Sequence, residues 1–529
     1  MHGSLPPAMT TGYEHFPWLA ELNPQQRAAA VHRDGPLLVV AGAGSGKTNT
    51  IAHRVACLLA SGVEPEHILL LTFTRRAAEE MIRRAVSISQ RGPTAVAKVW
   101  GGTFHGVANR LLRIYGQAAG LQPDFTVMDE SDAQDMLSVV RHELDLASRE
   151  KRFPLKKTCL DIYSRCVNGT EGLHDVLKRF FPWCAEWEAE FKTLFKHYVT
   201  RKQALNVFDY DDLLLYWEQL LRDDDLAATI EKRFEHILVD EYQDTNVVQA
   251  RILRAMRRTN TNIMVVGDDA QSIYSFRAAT VRNMLDFPKQ FPGATVITLD
   301  QNYRSVSPIL EATNRLIAQA RERFTKDLWS SRAGGQKPYL VTCKNEDQQD
   351  EFVIRKVLEH YEQGIALRRQ AVLFRAAHLS DSLEVELTRR RIPYHKYGGL
   401  RFLEASHVKD LVAFLRITEN PRDEMAWFRV LHLLDGVGPA TAAAAIAFLH
   451  GVQDDPSRLG VFRAPASARE GMKELADMFG QLGEGSTPSA RVERIRRFYD
   501  PILARRYENP VVRKRDLEHL EQIAAGYRS

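Results

Sequence analysis

The 529 residues include five cysteines, Cys57, Cys159, Cys166, Cys184 and Cys343, and no two of them form a C-x-x-C pair. Zinc and iron–sulfur sites built on that spacing are excluded, and scattered thiols suit a reducing compartment. Long apolar runs are scarce as well. The longest, "ATAAAAIAFL" from Ala440, is too short and too alanine-rich to span a bilayer and reads as a buried helix. The leader "MHGSLPPAMTTGYEHF" has neither a charged n-region nor an apolar core, so secretion is not expected and the cytoplasm is the expected location. Charge of one sign is barely in excess. The formal net charge is +4, so any nucleic-acid surface must come from local clusters. Fixed-period repeats and low-complexity tracts are absent, and "GQLGEGSTPSA" from Gly480 reads as a flexible loop.

What is present is a globular composition, 44% hydrophobic and 26% charged, over a length that suits about three or four domains. "PLLVVA", "EHILLLTFT", "HILVDE", "NIMVVGD" and "ATVITLD" are short continuous apolar runs of the kind buried in a parallel sheet, and helical patterns separate them. The expected fold class is therefore α/β, a parallel sheet covered on both faces. Between Ile114 and Leu205 the texture changes to long charged helical patterns, an all-helical insertion. "KPYLVTC" and "QAVLFRAA" read as strands of a second α/β unit, and after about Leu400 the chain turns helical again.

The chemistry is concentrated in "LLVVAGAGSGKTNT". The residues Ala41, Gly42, Ala43, Gly44, Ser45, Gly46, Lys47 and Thr48 match G-x-x-x-x-G-K-[ST] except for alanine at the first position. Small residues let backbone N–H groups converge on phosphates, the helix N-terminus adds partial positive charge, Lys47 reaches the outer phosphates, and Thr48 can ligate Mg²⁺. In "HILVDEYQDTN" an apolar strand ends in Asp240 and Glu241. Asp240 would hold the metal ion, and Glu241 would accept a proton from an attacking water. That pair suits a hydrolase of ATP better than a kinase.

From here several ordered motifs resemble the superfamily 1A DNA helicases of the UvrD, Rep and PcrA type. "LNPQQRAAA" resembles the Q motif, "LTFTRRAAEEM" and "GTFHGVANRLLR" motifs Ia and Ib, "VVGDDAQSIYSFRAA" motif III and "LDQNYRS" motif IV. The resemblance implies P-loop NTPase (RecA-like) core domains with helical insertions. It implies that Gln26 reads adenine, that Asn49 stands where the family often has an arginine, that Tyr303 stacks on adenine, and that Gln271 and Arg304 meet the γ-phosphate. It implies a single-stranded DNA track of Phe73, Thr74, Thr103, Phe104, His105, Tyr274, Phe276 and Arg277, with phenylalanine at 276 where tryptophan is usual. Aromatic loops at one sheet edge suit base stacking. For any single aromatic, ordinary core packing is an equal alternative, Phe73 and Phe104 most of all. "YGGLRFLEASHVKDLVAFLR" and the "DGVGPATA" turn resemble the entrance to the family's 2B domain and a duplex-contacting turn within it.

The expected domains are 1–113 and 206–297 as core domain 1A, 114–205 as insertion 1B, 298–400 as the start of core domain 2A, and 401–529 as helical domain 2B. The implied function is ATP- and Mg²⁺-dependent 3′ to 5′ translocation on single-stranded DNA with duplex unwinding, in repair or replication. Two later family segments, one like "TIHKAKGLEW" and one carrying an arginine finger, are not among these residues. The expectation is thus a C-terminally incomplete motor, or a split subunit that binds ATP and DNA and depends on a partner chain for the missing motifs.

Overall fold

The computed structural model describes residues 16–89, 98–122, 124–146, 153–332, 334–375, 377–396, 405–482, 487–506 and 510–525. The leader, the start of the expected 2B entrance up to Glu404, and part of the loop after Gly480 lie outside the described residues.

Two compact units divide the chain, Met1–Pro338 and Tyr339–Ser529. In the first, β1 (Leu37–Ala41), β2 (Ile68–Leu71), β3 (Trp100–Gly102), β6 (His236–Val239), β7 (Ile263–Gly267) and β8 (Thr295–Leu299) form one sheet in the order β3-β2-β6-β7-β1-β8. Every ladder in it is parallel. All five apolar runs read from the sequence became strands of this sheet. β3, "WGG", carries too little apolar pattern to be read in advance. β4 (Thr126–Val127) and β5 (Val207–Phe208) make a separate two-stranded pair that brackets the helical insertion.

The strands are apolar without a break because both faces are buried. Leu37, Val39, Leu70 and Met264 enter one core with Ile51, Val55 and Met81. Their neighbours Leu38, Val40, Leu71 and Val265 enter the other with Phe104, Leu111, Trp217 and Leu253. The period of two thus divides each strand between two layers of helices. The first layer holds α1 (Pro24–Val31), α2 (Lys47–Ala60) and α3 (Arg75–Ser89); the second holds α4 (Phe104–Tyr115), α9 (Tyr210–Leu220) and α11 (Val247–Ala255). Between α4 and α9 run α5 (Glu130–Glu143), α6 (Lys156–Gly169), α7 (Leu173–Phe180) and α8 (Glu188–Ala204); α10 (Asp224–Arg233) leads back to the sheet. The chain ends from β1, β6 and β7 open on one edge, with Val40 level with Gly267 and Val239 level with Val265. That edge is where ligands of open α/β sheets bind.

The second unit is helical. Helices Ser406–Glu419, Glu424–Leu431, Pro439–Gly451, Arg469–Gly480 and Pro488–Arg506 enclose a core around Phe414, Trp427 and Tyr499. The alanine-rich run is one of these helices, with Ala442, Ala445, Ile446 and Leu449 buried. "KPYLVTC" and "QAVLFRAA", expected as strands, form no ladder among the described residues, and Leu340 and Leu373 are 94% and 93% exposed. A strand exists only through its partners, and no described segment pairs with either. Residues 298–338, expected with a second core domain, group here with the first unit. The five cysteines are free. Among the described residues no helix is long and apolar enough to cross a membrane.

Candidate functional site

The loop after β1 closes on itself through Ser45, whose hydroxyl donates to the Gly42 carbonyl at 2.7 Å. α2 then begins at Lys47 with left-handed Gly46 as its N-cap and no capping side chain. Its first N–H groups are therefore left for an anion, on the positive end of the helix dipole. Lys47 Nζ lies 2.8 Å from Glu241 Oε2. Asp240 is fixed at the end of β6 by its N–H to the Leu71 carbonyl at 2.9 Å. Glu241 follows at φ 50°, ψ 45°, a left-handed conformation costly for a non-glycine residue and frequent at functional sites.

The carboxylates here outnumber the cations. Burial, then Glu241, pushes the Asp240 carboxyl up to about 7, and burial, then Glu241, pushes Asp244 up to about 6. Asp240 Oδ1 and Asp244 Oδ1 are buried without a hydrogen-bond partner. An oxygen pair of this kind fits a hard divalent cation. Among the described residues no group of three or more His, Cys, Asp or Glu makes a closed metal cage. Two such buried oxygens suit a cation that takes one or two protein ligands and completes its shell with water and phosphate, as Mg²⁺ does. The Thr48 hydroxyl makes no hydrogen bond among the described residues.

A second wall is built by the segment after β8. Tyr303 N–H donates to the Gly44 carbonyl at 2.9 Å, and Asn302 Nδ2 donates to the Ala43 carbonyl. Arg304 is so close that a Cβ on Gly44, at φ +71°, would stand 2.7 Å from the Arg304 Cβ. Gln26 is buried; its Nε2 donates to the Ser45 carbonyl at 2.9 Å and its Oε1 accepts from Asn23 N–H at 3.1 Å. Asn23 Nδ2 in turn donates to the Tyr303 hydroxyl at 2.9 Å. The three segments expected at the nucleotide therefore meet around one loop, with the Gln26 amide committed to the cap of α1 and to that loop. Asn49 sits half-buried in the first turn of α2.

The loop after β7 carries Gln271, whose Nε2 donates to Asp268 Oδ2 at 2.7 Å. The same loop begins an aromatic row. Phe73, at the end of β2, meets Tyr274 with ring centroids 4.8 Å apart, and Tyr274 meets Phe276 at 5.8 Å. The Arg277 guanidinium lies 5.8 and 5.7 Å from the Tyr274 and Phe276 rings. Phe276 is 66% exposed and Ile273 71%. Thr74 and Thr103 accept from Ala77 and Gly106 N–H at the starts of α3 and α4. His105 stands edge-on to Tyr210 at 5.6 Å; burial, then Arg277, pushes its pKa down to about 4. Phe104 departs from its expected place. As the first residue of α4, with Thr103 as N-cap, it turns inward against Trp217 and is 6% exposed. Core packing accounts for it.

Several residues of the site had not been singled out. Gln243, Asp244, Asn23 and Asn302 sit inside quoted motifs, within three positions of residues that had been chosen, so membership of the motif was their only signal. Lys326 lies in no motif. Its ammonium is buried against Asp268, at 2.6 Å, and Asp269, a contact that spans about sixty residues of chain and leaves no local pattern.

Two family models match the chain: the UvrD/REP helicase N-terminal domain over residues 22–292 and the UvrD-like helicase C-terminal domain over residues 297–447. Among curated proteins, DNA helicase II of Escherichia coli is 36% identical over 80% of this chain and 58% of its own length. ATP-dependent DNA helicase PcrA of Staphylococcus aureus is 34% identical over 80% of this chain and 57% of its own length. The DNA helicase II of Salmonella typhimurium is 36% identical over the same share of this chain. The chain spans less than three fifths of the length of these relatives.

Proposed function

The chain belongs to the UvrD/REP helicase family, and from that premise we propose that it is the nucleotide- and DNA-binding part of an ATP-dependent DNA helicase moving 3′ to 5′ on single-stranded DNA. Its relatives' names support use of ATP and DNA. The observation that carries the reading is the loop after β7: Gln271 near one end and the half-buried ring of Tyr274 with the exposed ring of Phe276 a few residues on. One short segment thus adjoins both the phosphate loop and a stacking platform for bases.

In this reading the N–H groups at the start of α2 and Lys47 take the outer phosphates of ATP. Thr48 and Asp240 would hold Mg²⁺, which would supply positive charge beside those phosphates. Lys47, on turning to phosphate, releases Glu241, whose carboxylate then accepts the proton of the attacking water. Gln271 and Arg304 orient and balance charge at the γ-phosphate, and Tyr303 with Gln26 borders the adenine. Phe73, Tyr274, Phe276 and Arg277 form the strand's platform, with Thr74, Thr103 and His105 at its edge. Duplex DNA as substrate, a role in repair or replication, and a cytoplasmic location belong to the same proposal. The match to both family models supports this reading over that of a binding subunit without motor activity.

Titration of the 529-residue chain with ATP and with single-stranded DNA tests it. Lys47→Ala is expected to lose most of its ATP affinity. Phe276→Ala is expected to bind DNA about 1–3 kcal/mol more weakly, and the parent's DNA affinity should fall steeply with salt as phosphate contacts release counterions. ATP affinity indifferent to Lys47, or DNA affinity indifferent to both salt and Phe276, would defeat the reading.

A further inference from the structure

The helical insertion reaches the aromatic row through one side chain. Arg165, in the second half of α6, donates from Nη1 to the Ser275 carbonyl at 2.5 Å. Ser275 stands between Tyr274 and Phe276, and its carbonyl also accepts the Ala278 N–H at 3.1 Å. The loop is anchored on either side of this point. Ser272 Oγ donates to the Gln243 carbonyl at 3.3 Å, and Thr280 N–H donates to the Thr245 carbonyl at 3.1 Å. Among the described residues, no hydrogen bond other than that of Arg165 reaches residues 273–276 from outside the loop.

The arginine stands on a fixed mount. Ser164 and Asn168, which flank it on α6, donate to the two carboxylate oxygens of Asp211 on α9 at 2.5 and 2.7 Å. Asn168 Oδ1 also accepts from Asn246 Nδ2 at 2.8 Å. The guanidinium itself lies 3.7 Å from the ring centroid of Phe180 on α7, and Glu171 Oε1 is 3.9 Å from its Nε. A planar guanidinium can lay one face on a ring and aim an edge N–H at a carbonyl, a geometry that the compact ammonium of lysine does not offer.

We propose that Arg165 is a positioning residue for single-stranded DNA: it ties the backbone between the two rings to the helical insertion, and so holds Tyr274 and Phe276, with centroids 5.8 Å apart and planes at 40°, ready to receive bases. This rests on the reading of the aromatic row given above. The physical reason is conformational entropy. A loop apex left unheld must be ordered when a base stacks on it, and each residue so ordered weakens binding. Arg165 moves that ordering to the folding of the chain. The turn it secures is a demanding one, since Ala278 takes a left-handed φ of 60°, a conformation that persists only where its surroundings fix it. The effect is local to residues 273–276, because the anchors at Ser272 and Thr280 are made by other groups, and no residue of the phosphate loop takes part.

The test measures the affinity of the 529-residue chain for a labelled oligothymidylate over a range of salt, without nucleotide, in the parent, Arg165→Met, Phe276→Ala and the double variant, each checked for folding by thermal unfolding. Methionine keeps an apolar stem against Phe180 and removes the donor to Ser275. Arg165→Met is expected to bind roughly 5- to 30-fold more weakly, the equivalent of ordering one residue's backbone at the moment of binding. The slope of log affinity against log salt should stay that of the parent, since no phosphate contact has been removed. Phe276→Ala should cost fewer fold in the Arg165→Met background than in the parent, because a ring no longer held in place has less stacking to lose. Unchanged affinity for Arg165→Met, a salt slope smaller by about one, which marks a direct phosphate contact, or two losses that simply multiply overturns the proposal. Phe276→Ala without effect in the parent defeats the stacking reading itself, and so is told apart from failure of the tie. Should the methionine variant not fold, Arg165→Gln, whose amide ends two bonds short of the Ser275 carbonyl, is judged by the same outcomes.

Discussion

His236, the first residue of β6, is buried near Arg54 and Arg257, and burial first and those arginines next push its pKa down to about 3. The folded chain therefore refuses a proton that the unfolded chain accepts below pH 6.5. At neutral pH the residue is without effect. As pH falls through 6.5 the unfolded state gains the proton and stability drops, by on the order of 2 kcal/mol at pH 5. Urea unfolding at pH 7 and pH 5 checks this. His236→Gln should lose less stability between the two than the parent does, and equal losses would remove His236 from the acid response. Nothing in the sequence marks this histidine, because its shift comes first from burial in the fold and then from arginines outside its strand. Lys47, Asp240 and Glu241 were legible for the opposite reason: their chemistry is written in consecutive residues at the ends of apolar strands. Phe104 shows the limit between the two cases. Its motif placed it beside His105 on one edge, but a helix start turns successive side chains by about a quarter-turn or more, and the side chain falls on the Trp217 side.

At the scale of elements, α11 shows how a helix start can be set by sequence and then used for tertiary purposes. Asn246 is its N-cap: Asn246 Oδ1 accepts the Gln249 N–H at 2.8 Å, and Gln249 Oε1 accepts the Asn246 N–H at 3.0 Å, a reciprocal capping box. Asn246 Nδ2 meanwhile donates to Asn168 Oδ1 at 2.8 Å on α6 of the helical insertion. Asn246→Ala should cost about 1–2 kcal/mol in urea unfolding, and Asn246→Ser should recover the larger part, because serine keeps the cap acceptor. Equal losses for the two would assign the cost to the Asn168 contact instead. Elements of this kind are readable when their signal is local. The five apolar strand runs met that condition, and so did the alanine-rich helix. "KPYLVTC" and "QAVLFRAA" carry the same local signal yet form no ladder among the described residues and have exposed leucines, since pairing is a property of what lies alongside, and periodicity records only the strand itself.

On the scale of the whole molecule, the two compact units have separate cores, one pair of layers about the parallel sheet and one helical cluster around Trp427. Every residue assigned to the nucleotide, from Gln26 to Arg304, lies in the first unit. A ligand that binds only the folded form stabilises it by mass action, about 2.7 kcal/mol at a concentration one hundred times its dissociation constant. Because the second unit contributes none of those residues, this stabilisation should enter the first core alone. Calorimetry of the 529-residue chain is therefore expected to resolve two transitions, of which saturating ADP with Mg²⁺ raises one and leaves the other in place. Lys47→Ala should abolish the rise without merging the transitions, because its ammonium is an ion-pair partner of Glu241 and no part of either apolar core. A single transition that shifts as a whole would mean that the two cores unfold as one cooperative structure. The energy of nucleotide binding would then be spread over the whole chain instead of held by the sheet edge proposed to bind it.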